Sequence, residues 1–252
     1  MEEFVYPFGE RLADDQIEDV YIGCAMPEAE QGMNVARIAV VRAGLPPSVP
    51  AMTLNRFCSS GLQSISFAAD RIAGGSADCI VAGGTESMSM IPMGGHKIAP
   101  NPILVEEYPE TYLSMGLTAE RLFDECKSGR DEQDAFALES HLRAIRGKAV
   151  LREEIVPVIP PPKYKSAIEY DNGPREGQTI EALAKLKPYF DRRSGTVTVG
   201  NSSQVTDGAA ALLITSEQKA KELNLKPLGF IKAYAFVGVE PHRMGIGPAH
   251  AS

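Results

Sequence analysis

The sequence predicts an α/β fold: a parallel-type sheet layered with helices and interrupted by a long polar excursion. Three observations lead there. Short runs that are apolar throughout, such as Asp78-Cys79-Ile80-Val81-Ala82-Gly83-Gly84, alternate with segments whose apolar residues recur at helical spacing, the pattern of strands buried beneath helices on both faces. From Pro92 to about Gln204 the texture changes to polar stretches with prolines at Pro157, Pro160, Pro161 and Pro162. The apolar strand idiom then returns at residues 207–216.

Taken in order, residues 17–24 read as a strand, and 34–44 as a helix closed by Gly44. Residues 49–54 form a short strand, after which Leu62, Ile65, Ala69 and Ile72 mark a helix that ends at Gly74-Gly75. The run 78–84 is a strand that the paired glycines should stop. Inside the excursion one helix begins near Thr118. A second runs from about Arg130 to about Val150, with Ser128 and Asp131 as a capping-box-like start. Residues 207–216 are a strand, 217–223 a helix and 228–237 another strand; the tail 244–252 carries no closing helix. The expected boundaries are a first half at 1–92, an inserted loop domain at 93–205, a return to the first half at 206–222, and the opening of a second half at 223–252.

At 252 residues the chain is long enough to bury a substantial core, and 44% hydrophobic with 23% charged residues is ordinary for a globular protein. A net charge of −8 argues against a general nucleic-acid binder, though a local cationic patch would still take an anionic small ligand. Four cysteines without regular spacing give neither a disulfide framework nor a zinc pattern, so no metal is expected. No apolar run approaches the roughly 20 residues of a membrane span, and the acidic N-terminal stretch has no signal-peptide layout. These features fit a reducing, cytoplasmic setting.

The stretch Asn55-Arg56-Phe57-Cys58-Ser59-Ser60-Gly61-Leu62-Gln63-Ser64 sets a cysteine at the turn from strand into helix. Backbone N–H groups are unpaired there and the helix dipole is positive. A thiol in that place is expected to have a lowered pKa and to be a good nucleophile. Ser59 and Ser60 keep the helix start small and polar, and Gly61 would allow close approach by a strand or a substrate. Cys24, Cys79 and Cys126 lack this setting and read as structural or incidental.

The segment around Cys58, with Ala82-Gly83-Gly84-Thr85-Glu86-Ser87-Met88-Ser89, Met115-Gly116-Leu117-Thr118-Ala119-Glu120, and Gly200-Asn201-Ser202-Ser203 followed by Asp207-Gly208-Ala209-Ala210, resembles the thiolases. Residues 24–32 look like the degradative branch, the 3-ketoacyl-CoA thiolases or acetyl-CoA acyltransferases. The resemblance implies a thiolase-like α/β fold, a mixed, mostly parallel sheet layered with helices with an inserted loop domain, and Cys58 as nucleophile, its backbone N–H helping to hold the thioester oxygen. It implies coenzyme A as co-substrate rather than as a resident cofactor, contacted by Met115, Arg175, Phe190, Val199 and Ser203. Arg175 would meet the nucleotide end by charge and stacking. Phe190, Val199 and Met115 would line the pantetheine tunnel, and Ser203 would hydrogen-bond one of its amides.

As partners the resemblance implies small-molecule acyl-CoA and CoA, a homodimer or homotetramer, and a β-oxidation partner subunit. Ser114 stands where some biosynthetic members have histidine before the Met-Gly, which favours longer 3-ketoacyl chains over acetoacetyl-CoA. The family's Asn-Glu-Ala-Phe, Gly-His-Pro and Cys-x-Gly motifs do not occur in these 252 residues, so the expectation is a chain lacking most of the C-terminal half. Two alternatives stand beside the degradative enzyme. One is a catalytically incomplete CoA-binding or oligomerisation module; the other is a biosynthetic acetoacetyl-CoA thiolase. A ketoacyl synthase would share the fold and the nucleophilic cysteine, but the inserted domain argues against it.

Overall fold

The computed structural model describes residues 13–160 and 166–252; the N-terminal stretch 1–12, and residues 161–165 with Pro161 and Pro162 of the proline run, lie outside the described residues. Four strands, β1 (Asp19–Gly23), β2 (Ala51–Leu54), β3 (Cys79–Ser87) and β4 (Asp207–Thr215), form one sheet in the order β2-β1-β3-β4. β1 runs parallel to both β2 and β3, whereas β4 pairs antiparallel with β3. The helices in chain order are α1 (Val35–Ala43), α2 (Ser60–Ala73), α3 (Pro102–Glu107), α4 (Met115–Cys126), α5 (Arg130–Arg146), α6 (Lys148–Glu154), α7 (Ile180–Ala184), α8 (Glu217–Glu222) and α9 (Gly247–Ala251). The parallel part of the sheet is what the alternation of apolar runs and helices predicts; antiparallel β4 makes the sheet mixed, as the thiolase-like fold implies.

The chain divides into two compact units. One takes the described residues up to Ala99 together with Val205–Tyr234, and the other takes Pro100–Gln204 with Ala235–Ser252. In the first unit β1 is buried along its whole length. Val20 and Ile22 pack with Ala36, Val40 and Val49 on the α1 side. Tyr21 packs with Ala68, Ile80 and Ala82 on the α2 side. Asn34 caps α1 through its side chain, which accepts from the Arg37 N–H, and Gly44 closes that helix in the left-handed region at φ 80°.

Several sequence expectations change. The glycines at 83 and 84 do not stop β3, which runs through them to Ser87. They sit inside the sheet because β4 comes too close for a side chain: a methyl group on Gly83 would lie 2.9 Å from the Ala211 Cα. Residues 228–237 form no strand among the described residues and take no place in the β2-β1-β3-β4 sheet. Leu228 and Phe230 in that segment are 93% and 74% exposed. The tail does close on helix, a 3₁₀ stretch at Pro241–Ile246 followed by α9, with Arg243 donating to Glu125 of α4. The N-cap of α5 is Gly129 rather than Ser128, and Glu132 accepts the Gly129 N–H at 3.0 Å. The helical stretch reaching past Val150 is two helices divided at Gly147.

In the second unit, buried polar side chains take the place of an apolar sheet core. Glu120 of α4 accepts the N–H groups of Thr196 and Val197 at 2.8 and 2.9 Å and the Thr196 hydroxyl at 3.1 Å. Asp134 of α5, almost fully buried, takes bonds from Arg130 and Asn201, and Asn201 in turn accepts the Thr198 N–H. Arg130 also donates to the carbonyls of Leu183 and Leu186. These groups bind residues 183–201 onto α4 and α5.

Candidate active site

Cys58 lies in the five-residue link between β2 and α2, and it is exposed. The link cannot stay regular, because β2 ends at Leu54 and the helix starts at Ser60. The preceding residue, Phe57, takes φ 47°, the left-handed region that a residue with a side chain enters at a cost of about 1–2 kcal/mol. Neighbouring side chains hold it there. The Asn55 carboxamide oxygen accepts the Phe57 N–H at 2.7 Å, and the Phe57 carbonyl accepts the Ser60 N–H at 3.0 Å and the Ser60 hydroxyl at 2.6 Å. The Ser60 oxygen also accepts the Arg56 N–H at 2.8 Å, and the Ser59 hydroxyl donates to the Arg56 carbonyl. A strained residue locked next to a nucleophile candidate fixes the direction in which the thiol leaves the turn.

The start of α2 is pressed against the sheet. A methyl group on Gly23, the last residue of β1, would lie 2.6 Å from the Gly61 nitrogen. Buried Ser64 donates to the Gly83 carbonyl of β3 at 2.8 Å. The close approach expected at Gly61 is therefore made at Gly23: a methyl group on Gly61 would meet nothing within 4 Å. The Gly61 side of the turn is open.

A second layer supports the turn. Asn55 also donates to the Ala25 carbonyl at 3.0 Å. The loop containing Ala25 is gathered by Glu86 of β3, which accepts the Ala25 N–H at 2.7 Å, the Met26 N–H at 3.3 Å and the Gln31 amide at 2.8 Å. Sequence reading missed Asn55, Gln31 and Glu86 as positioning residues. Asn55 carried a signal, since asparagine at the start of a turn caps backbone N–H groups; Gln31 and Glu86 are more than fifty residues apart, and nothing local links them.

The other cysteines differ from Cys58. Cys24 and Cys79 are buried, and burial pushes each thiol up to about 11, with the Glu86 carboxylate adding to the rise at Cys24. Cys126 is exposed at the C-terminal end of α4. Among the described residues no group of three or more His, Cys, Asp or Glu side chains gathers to hold a metal ion.

The five residues expected at coenzyme A all lie in the second unit. The Phe190 ring sits on Gly116, next to Met115 at the first turn of α4, and crosses the Tyr189 ring edge-on at 5.1 Å. No larger residue would fit at 116 with that ring in place. Val199 is 61% exposed and Ser203 is exposed beyond the Thr198–Asn201 knot. Arg175 is exposed, and its backbone N–H donates to His141 at 3.2 Å.

Residues 1–218 match the family model described as thiolase, N-terminal domain. A Bacillus subtilis protein named 3-ketoacyl-CoA thiolase is 46% identical over 250 residues, 94% of this chain and 64% of its own length. A Chromobacterium violaceum protein named acetyl-CoA acetyltransferase is 41% identical, with 94% and 64% covered. The crystal structure of the dimeric peroxisomal thiolase of Saccharomyces cerevisiae superposes with a TM-score of 0.85 at 34% identity, covering 94% of this chain and 61% of that one. The chain thus spans a little under two thirds of the length of these relatives, and by its family match it belongs to the thiolases.

Proposed function

We propose that this chain is the nucleophile-bearing part of a degradative 3-ketoacyl-CoA thiolase, an acyltransferase of fatty-acid β-oxidation in a cytoplasmic setting. The observation that carries the reading is the exposed Cys58 in a strained turn locked by Asn55 and Ser60. In the proposed reaction the Cys58 thiolate adds to the 3-keto carbonyl. The bond between the second and third acyl carbons then breaks, and its electron pair leaves with acetyl-CoA, which takes up a proton. The shortened acyl group stays on Sγ as a thioester. The thiolate of a second CoA adds to that thioester, the bond to Sγ breaks, and shortened acyl-CoA departs.

Residues 93–205 act as the loop domain, with Met115, Arg175, Phe190, Val199 and Ser203 contacting CoA, and 223–252 open the second half. The proton steps need a base and a second thiol, and the motifs expected to carry them are not among these 252 residues. They would come from the part of the family fold beyond this chain, within a homodimer or homotetramer. Relatives carry both the longer-chain and the acetyl-specific names; Ser114 favours the longer-chain substrate.

A thiolysis assay with 3-ketoacyl-CoA and CoA tests the reading. The chain alone should show no turnover. Combined with a polypeptide carrying Gly-His-Pro and Cys-x-Gly, it should regain activity that Cys58→Ala abolishes. Activity surviving Cys58→Ala would overturn the assignment, and faster turnover of acetoacetyl-CoA than of longer chains would move it to the biosynthetic branch.

A further inference from the structure

Behind the Cys58 turn a line of amide groups runs back to the sheet, and every link in it points the same way. The Ser59 N–H, which shares a peptide with the Cys58 carbonyl, donates to the Arg56 carbonyl at 3.2 Å. On the far side of the Arg56–Phe57 peptide, the Phe57 N–H donates to the Asn55 carboxamide oxygen at 2.7 Å. The Asn55 amide nitrogen donates to the Ala25 carbonyl at 3.0 Å, and the N–H of that same peptide, on Met26, donates to Glu86 at 3.3 Å. Each amide along the line accepts at its oxygen and donates at its nitrogen, so each bond polarises the next. The line ends on a carboxylate, a stronger acceptor than any amide.

Glu86 makes a fixed end. Its backbone lies inside the sheet, paired with Gly208 of β4. Its carboxylate accepts from four neutral donors: the Ala25 and Met26 N–H groups, the Gln31 amide and the Cys24 thiol. Buried Gln31 closes the loop by donating to the Met26 carbonyl at 3.0 Å. The Cys24 N–H donates to the Leu54 carbonyl at 3.0 Å, which roots the same loop beside Asn55. Asn55 itself is exposed, so the bonds of its carboxamide rather than packing set its place.

We propose that Glu86 is a positioning residue for Cys58. Through the Ala25–Met26 peptide and Asn55 it holds Phe57 in the left-handed region and so sets the reactivity of the thiol that follows. The proposal rests on the reading of Cys58 as the nucleophile. Without the anchor, Phe57 would relax toward the regions that a residue with a side chain prefers, and the thiol would leave the turn in another direction.

Iodoacetamide labelling of the folded 252-residue chain, with exposed Cys126 as internal reference, tests the proposal. Asn55→Ala should lower the Cys58-to-Cys126 rate ratio by about fivefold, the equivalent of one hydrogen bond. Glu86→Gln keeps the shape but leaves one acceptor oxygen for four donors, and it should lower the ratio by a similar factor. The double variant should fall no further than the larger single effect, because both changes cut one line. A merely structural Glu86 would lower the thermal midpoint and leave the ratio unchanged. That result overturns the proposal, as does a double variant whose loss is the product of the two single losses. Where Glu86→Gln fails to fold, amide exchange in Asn55→Ala decides: it should quicken at Phe57 and also at Met26, and a change confined to Phe57 overturns the proposal. If Cys58 of the parent chain reacts no faster than Cys126, the nucleophile reading falls and takes the proposal with it.

Discussion

The turn that carries Cys58 and the segment 196–201 are both irregular chain that must satisfy its own backbone, yet they are held by opposite means. The turn is fixed by short neutral side chains, Asn55, Ser59 and Ser60, and by backbone contact made possible at Gly23. The segment 196–201 is fixed by buried carboxylates, Glu120 and Asp134, reaching across from helices. The difference fits the roles proposed for the two regions. A thiolate gains nothing from a carboxylate beside it, and the bonds that Asn55, Ser59 and Ser60 make within the turn do not involve one. Beside Phe190, Glu120 and Asp191 are spent on backbone N–H groups, and Arg121, Arg192 and Arg193 line an open cleft.

The contrast breaks most severely at Gly23. Gly23→Ala should force α2 off β1 and cost about 3 kcal/mol of stability, read as a fall in the urea midpoint; an unchanged midpoint would mean that the turn does not depend on that contact. The buried thiols of the sheet give the next effect. The Cys79 thiol is pushed from 9.0 to about 11, so its neutral form is favoured by folding. That contribution is complete below pH 9 and is lost as pH climbs toward 11, by about 2 kcal/mol. Cys79→Ala should make the fall in that window shallower, the rest coming from Cys24, which burial raises to the same value; its core packing is lost at every pH.

In the other region, Glu120→Gln keeps the shape but removes the charge that receives two N–H groups. A loss of about 1.5 kcal/mol is expected, with faster amide exchange confined to Thr196, Val197 and their neighbours. Uniformly faster exchange through the second unit would show that Glu120 supports the whole unit rather than this segment. The smallest effect is at Gly61, where a methyl group meets open space. Gly61→Ala should leave the fold unchanged or up to about 0.5 kcal/mol more stable. If acyl-CoA approaches on that side, the same change should lower thiolysis of the complemented enzyme.

Much of the first unit is legible in the sequence, because its elements announce themselves locally. β1, α1 and α2 follow from apolar spacing and from Asn34, Gly44 and Gly74 at their ends. Cys58 is legible for the same reason: a strand, a small polar turn and a helix lie within fifteen residues of it. What misleads is non-local. The two glycines in β3 look like a stop, and only the approach of β4, more than 120 residues later, shows why the strand needs them. Residues 228–237 have the composition of a strand but take no place in the described sheet. The support from Glu86 to the 25–31 loop and on through Asn55 could not be read at all, since it joins three stretches that carry no common pattern.

The central claim is that the turn makes Cys58 the reactive thiol of this chain. Limited alkylation with iodoacetamide near neutral pH, with each cysteine peptide quantified by mass spectrometry in the folded chain and again in urea, tests it directly. The account predicts that Cys58 is modified first in the folded chain, that exposed Cys126 follows well behind, and that Cys24 and Cys79 stay unmodified until the fold opens. In urea the four should react alike. Labelling of Cys126 as fast as Cys58 in the folded chain would show that exposure alone sets the order, and that the turn does not activate the thiol.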